Sequence, residues 1–165
     1  MARSATIATQ EVMARMQSEA GLAFSIAAIS ERESVALGPF APEQLVARNM
    51  PAELAEKTAG VTYPVVHIYC ERVVNDLREK FRVFSGTATM CMDVRVSHDR
   101  IDRVEQKLQF FVEAVTEVLD SNRGTWPRGM FYGGGYEVTF GALKHGGKNF
   151  IQTAKVRFDV NISSD

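Results

Sequence analysis

GTATMCMDVRVSHDRIDRVEQKLQFFVEAVTEVL, from Gly86 to Leu119, decides how the chain folds. In its first half every even position from Ala88 to Val96 is apolar: Ala88, Met90, Met92, Val94 and Val96. The odd positions between them are Thr87, Thr89, Cys91, Asp93, Arg95 and Ser97. A period of two predicts a strand with one face on a core and the other on water or a partner. After His98 the period changes. Ile101, Val104, Leu108, Phe111, Val112, Val115 and Leu119 follow helical spacing, with mostly charged and amide residues between them. Asp99 is placed to cap this helix, and Asp102 suits the partial positive charge of its first turn. Asp120-Ser121-Asn122-Arg123-Gly124 favours turn and left-handed conformations and ends it.

Such a helix needs a sheet to lie on, and strands are predicted on both sides of it. Before it, Tyr63-Pro64 opens a strand running from Val65 to Val74, apolar on both parities. The next strand starts at Phe81-Arg82-Val83 with its apolar residues on odd positions. The switch to even positions by Ala88 predicts a bulge at Ser85-Gly86. After the helix, Tyr136 to Ala142 and Ala154 to Ile162 each alternate. Lys144-His145-Gly146-Gly147-Lys148 reads as the hairpin loop joining them. Residues 1–20 read as a helix capped by Thr9 and stopped at Gly21. Leu22, Phe24 and Ile26 alternate, so 22–29 reads as a short edge strand or as the helix continued, with the strand favoured. Residues 30–60 are an irregular excursion broken by Gly38-Pro39 and Ala41-Pro42, with a short helix at about 51–59 ending at Gly60. The expected fold is therefore α+β. It has a mainly antiparallel four-stranded sheet, one long amphipathic helix on one face, and an N-terminal helix, all in one domain, 1–165.

The totals fit that reading. The chain has 165 residues, 45% of them hydrophobic and 24% charged, with a formal net charge of -1. That length can bury roughly 70% of the unfolded surface without metals or disulfides. The near-neutral charge gives no general pull toward nucleic acid or anionic membranes. Cys70 and Cys91 fall in predicted strands on different parities, without metal-site spacing, so two reduced thiols and a reducing compartment of synthesis are expected. The N-terminus carries no apolar run of signal-peptide type, and no run approaches the ~20 apolar residues of a membrane span.

Chemistry-bearing patterns are weak. His67, His98 and His145 are dispersed, with no second ligand at metal spacing. Capping explains Asp99 and Asp102 without catalysis. Gly133-Gly134-Gly135 is followed by a strand and no Lys-Ser or Lys-Thr, which excludes a P-loop. No serine lies in a G-x-S-x-G elbow, and Lys80-Phe81-Arg82-Val83-Phe84 lacks the glycine pattern of an RNA-binding strand. No catalytic residue, cofactor or metal is expected. Two surfaces stand out instead. The odd face of the sheet collects Thr87, Thr89, Asp93, Arg95, Glu137, Thr139, Lys155, Arg157 and Asp159. It is either a solvated face or a mixed-charge subunit interface. The glycine-rich loop over 124–135 carries Trp126, Phe131 and Tyr132, large apolar groups expected to form a contact surface.

The order of elements, with Tyr63-Pro64-Val65-Val66-His67-Ile68, the run Ala88–Val96, the helix Ile101–Leu119 and the last strand Ala154–Ile162, resembles the tail terminator (tail completion) proteins of long-tailed bacteriophages. The likeness covers about residues 61–162 and the first helix. It implies a non-enzymatic virion protein that assembles as a ring, typically a hexamer, at the head-proximal end of the tail tube. The ring would end tube growth and meet the head connector. The implied partners are further copies of the chain, the tail tube protein and the connector protein, without sequence-specific nucleic acid or membrane. Synthesis and assembly in the host cytoplasm and residence at the head–tail junction follow. Another neck or connector protein, or a small α+β ligand-binding domain or enzyme, is the alternative.

Overall fold

Two long strands form the centre of the fold. β3 (Phe84–His98) and β8 (Asn149–Ser164) pair antiparallel without interruption, from Phe84 opposite Ser164 to His98 opposite Phe150. The structure is a computed structural model and describes residues 2–57 and 62–165. Along the ladder Ala88, Met90, Met92, Val94 and Val96 face the same side as Ala154, Val156, Phe158, Val160 and Ile162, and all are buried. β2 (Val65–Asn75) pairs antiparallel with the other edge of β3, and β1 (Leu45–Val46) adds a parallel pair to its start. Three short strands share the outer edge of β8 in turn. They are β7 (Lys144–Gly146), β6 (Glu137–Phe140) and β5 (Met130–Tyr132), with β4 (Gly124–Trp126) beyond β5.

The sheet thus has eight strands among the described residues, where four were expected. The additional ones are two or three residues long, too short to show a period. The expected bulge is also misplaced. Register runs straight through Ser85 and Gly86, and the irregularity lies in β2 between Cys70 and Arg72. Glu71 is the extra residue, and it moves the core-facing set from Val66, Ile68 and Cys70 to Val73. That is why both parities of this strand are apolar. Phe81 and Val83 lie in the turn before β3 and point to solvent. Gly86 answers to close approach: a Cβ there would stand 1.8 Å from the Val74 carbonyl oxygen.

One face of the sheet is covered by helices. α4 (Ile101–Ser121) lies across β3 and β8, burying Val104, Leu108, Phe111, Val112, Val115 and Leu119. Ile101, expected in that stripe, is exposed. Asp99 does not cap the helix. Its carboxylate lies 3.0 Å from His98 Nδ1, an atom that accepts the Arg100 amide at 2.9 Å; the cap position is Arg100, and no side chain bonds there. α1 (Ala2–Gln17) packs on β2 through Ala8, Val12 and Met16. Thr9 is inside it, donating to the Ala5 carbonyl at 2.9 Å, and is not its cap.

Residues 22–29 are helical, not a strand. α2 (Leu22–Arg32) buries Leu22, Ser25, Ile26 and Ile29, a helical spacing that matches α4, while Phe24 is exposed. Alanines between these positions favour the helix, and the long apolar stripe of α4 gives it something to pack on. The excursion contains a 3₁₀ turn, Pro42–Gln44, then β1 and α3 (Ala52–Lys57). The Gln44 side chain accepts from the Ala41 amide and donates to the Pro64 carbonyl, both at 2.7 Å, which ties the excursion to the start of β2. The expected helix end at Gly60 lies outside the described residues.

Phe111→Ala should destabilise the fold by roughly 3–5 kcal/mol, while Gln109→Ala on the exposed side should change it by less than about 0.5 kcal/mol. Gly86→Ala should cost about 1–3 kcal/mol, since the β2 backbone must move away. Denaturant titration measures all three. Equal losses for Phe111→Ala and Gln109→Ala would contradict the packing of α4.

Candidate interaction surface

The odd face of the sheet is graded from buried to open. At the β2–β3 centre Thr89, Cys91, Asp93, Arg95, His67 and Tyr69 are all buried. The chain itself provides cover: one terminal nitrogen of Arg95, Nη2, donates to the Met50 carbonyl at 2.8 Å and contacts Asp93 Oδ2 at 3.3 Å. Its other terminal nitrogen lies 2.5 Å from His67 Nδ1. Tyr69 donates to Asp93 Oδ2 at 3.3 Å. Guanidinium is always a donor, so His67 must offer a lone pair there and be neutral.

Burial, together with the Arg95 and Arg48 charges, pushes the His67 imidazole down to about 4. Burial raises the Asp93 carboxyl from its ordinary value, against the pull of Arg95 and Lys155. Burial also raises Tyr69 and pushes the Cys91 thiol up to about 11, which keeps that thiol unreactive. Cys91 and Cys70 are unbonded and lie on opposite faces. Asp93 and Arg95 are therefore internal to the subunit and do not point outward. Two-residue alternation placed them on the correct face, but nothing in their own strand signals that residues 48–50 lie over it.

Toward β8 the face opens. Lys155 stands 5.9 Å over the Tyr69 ring, and Arg157 pairs with Glu71 at 2.8 Å, so the β2 bulge residue has a partner on this face. Asp159 accepts from Thr89 at 2.7 Å. Lys155 and Arg157 are half-buried and remain reachable.

The three aromatics after α4 divide by the same rule. The loop forms the β4–β5 hairpin, whose alternation sends Trp126, Met130 and Tyr132 inward and Phe131 outward. Tyr132 packs against Trp126 and Phe158 with ring centroids 5.5 and 5.4 Å away. Arg15 of α1 stacks on the Trp126 ring at 4.0 Å, and the indole donates to the Asn122 carbonyl at 2.7 Å. Arg128 at the hairpin turn pairs with Glu11 of α1 at 2.7 Å. Trp126 and Tyr132 thus belong to the core, contrary to expectation, and Phe131 alone of the three is exposed.

A stronger outward feature lies outside the residues expected to form a contact surface. Leu77, Phe81 and Val83, in the turn joining β2 to β3, are all exposed. Their signal was present as apolar residues set singly in a charged run, Asp76-Leu77-Arg78 and Lys80-Phe81-Arg82. Among the described residues there is no group of three or more metal-ligating side chains, and no helix is long and apolar enough to cross a membrane.

No protein-family model and no curated protein matches the chain. In fold it is similar to a chain of the virion of the native gene transfer agent (GTA) particle. The TM-score is 0.53 at 13% sequence identity, over 98% of this chain and 97% of that one. At that identity the likeness is one of fold.

His67 provides a direct check on the buried cluster. Its ring signals should titrate with a midpoint near 4 rather than 6.5 in a pH series followed by NMR. The unfolded imidazole takes up its proton near 6.5 and the folded one only near 4, so this group removes stability as pH falls between those values. Asp93, with its raised carboxyl, acts in the opposite sense above its ordinary range. The difference between the wild-type and His67→Gln stability curves isolates the imidazole. A midpoint near 6.5 would show that water reaches the ring and that residues 48–50 do not close over it.

Proposed function

We propose that this chain is a structural virion protein forming a ring at the head-proximal end of a phage tail tube, where it ends tube growth and joins the tail to the head connector. The observation that carries the reading is the end-to-end fold likeness to a chain of a virion particle. The likeness spans both chains almost entirely, so the whole fold is shared and not one motif. The tail-terminator resemblance of the strands and of the helix Ile101–Leu119 narrows the reading to the ring at the tail end. Six copies is the ring size that resemblance carries. The partners are then other copies of the chain, the tail tube protein and the head connector, and the site of action is the head–tail junction after assembly in the host cytoplasm.

This role needs surfaces, not a reaction centre. The buried cluster around Arg95 has the character of a structural network, with its hydrogen bonds directed to the chain's own backbone and side chains. Of the surface residues expected from sequence, Lys155, Arg157 and Phe131 are the ones that a neighbour can touch. Asp93, Arg95, Trp126 and Tyr132 support them from inside.

Particles assembled without this chain should carry tubes of uncontrolled length that fail to join heads, and adding purified chain should restore both length and joining. Electron microscopy of the two preparations measures it. Tubes of normal length that still fail to join heads would favour another neck component. Normal, joined particles would contradict the proposal altogether.

A further inference from the structure

α4 presents cations on one flank and a carboxylate on the other, and neither set is paired among the described residues. Arg103, Lys107 and Phe110 follow the spacing of one helix face. Ile101 and Glu105, four residues apart, lie on the opposite flank, with the buried Val104, Leu108 and Phe111 between the two. The first flank borders a cleft of about 370 Å³, which it shares with Val35 and Leu37 after α2 and with His98 at the end of β3.

The cations of this cleft lack counter-ions. Lys107 is half-buried there, and burial lowers its ammonium from the ordinary value with no carboxylate offsetting the shift. The carboxylates nearest in sequence and on the adjoining helix are engaged elsewhere. Asp102 is 3.4 Å from Arg100, while Glu33 and Glu113 hold Arg32 at 3.4 and 2.5 Å. Asp99 stands 3.0 Å from His98 and makes no ion pair with Arg103 or Lys107. Two like charges four residues apart weaken a helix, and an apolar wall adds to the cost of an unpaired ammonium. A carboxylate carried beside an apolar side chain answers both. The anion meets Arg103 and Lys107, and the apolar group covers Val35, Leu37 and Phe110.

The other flank of the same helix offers that combination. Ile101 is 56% exposed, and Glu105, also exposed, has no ion pair among the described residues. Ile101 and Glu105 have the same spacing along the helix as Arg103 and Lys107, about 6 Å of rise, so two copies of α4 can bring the pairs into register. Such a contact joins two different patches and leaves the second flank of each copy free for a further neighbour. That is the heterologous geometry from which a ring closes.

We propose that the cleft at Arg103 and Lys107 of one copy receives Ile101 and Glu105 of the next copy; this rests on the ring reading above. The test is sedimentation velocity on the full chain, with circular dichroism as a folding control. Lys107→Glu should weaken self-association at least about tenfold, because it sets like charges against each other. Arg103→Glu, at an exposed position, should weaken it comparably, as should Glu105→Lys. Glu105 and Lys107 lie on opposite flanks and do not meet within one helix. Lys107→Glu combined with Glu105→Lys should therefore restore association, through contacts between copies. Folded single variants that lose association, with no recovery in the combined variant, would overturn the pairing of these two flanks. Normal assembly of Arg103→Glu and Glu105→Lys would overturn it while leaving the ring reading intact, and so would variants that lose only attachment to tail tubes. A wild-type chain that never self-associates, with or without tubes, would overturn both.

Discussion

The unbroken β3–β8 ladder is the constraint on which the rest of the structure depends. Fifteen consecutive residue pairs run from Phe84–Ser164 to His98–Phe150. Such a ladder sets side-chain parity for both strands at once, and a slip of one residue would turn every core side chain to the other face. With parity set, one side is apolar along its whole length and must be covered. α4 follows β3 within a few residues and lies back across it, and α2 then packs on α4. α4 is a sequence neighbour of β3, whereas α1 and α2 come from the far N-terminal end of the chain.

The other side of the ladder shows how a polar sheet face can be partly internal. Asp93 and Arg95 are two residues apart on one strand and point the same way, so they can share a carboxylate–guanidinium contact. Alone they would leave two charges at a sheet surface. The Met50 carbonyl and the neutral His67 ring supply the remaining acceptors. Asp93 Oδ1 and Arg95 Nε still have no hydrogen-bond partner among the described residues. A network satisfied only in part is a poor source of stability, and it holds Met50 over the sheet through a single carbonyl.

What could be read from sequence follows from how far each signal extends along the chain. β3 and α4 are long, and their periods of two and 3.6 are plain. Their observed limits, Phe84–His98 and Ile101–Ser121, match the reading closely. The alternation of Leu22, Phe24 and Ile26 favours a strand where the chain forms α2. Only the tertiary fact that α4 offers an apolar stripe turns Leu22, Ile26 and Ile29 into the buried set. The glycines around Trp126 and Tyr132 suggest a loop, and with it a contact surface. The β4–β5 pairing that buries them spans three residues per strand, below the length at which alternation is visible. The burial of Arg95 depends on a backbone carbonyl forty-five positions away, which no local pattern encodes. The hairpin tip is legible in Phe81 and Val83, but their alternation reads as the start of a strand that begins only at Phe84.

Together these features describe a subunit closed on the helical side, closed by its own excursion over half of the polar side, and open at the hairpin tip and along β8. The central claim is that such a subunit acts as a closed ring of identical copies. Native mass spectrometry of the purified chain, alone and after release from tail tubes, tests it most directly. The account predicts one dominant species at an integral multiple of the 18.3 kDa protomer, six on the proposed reading. A chain that stays at 18.3 kDa at every concentration, and also after release from tubes, would contradict it.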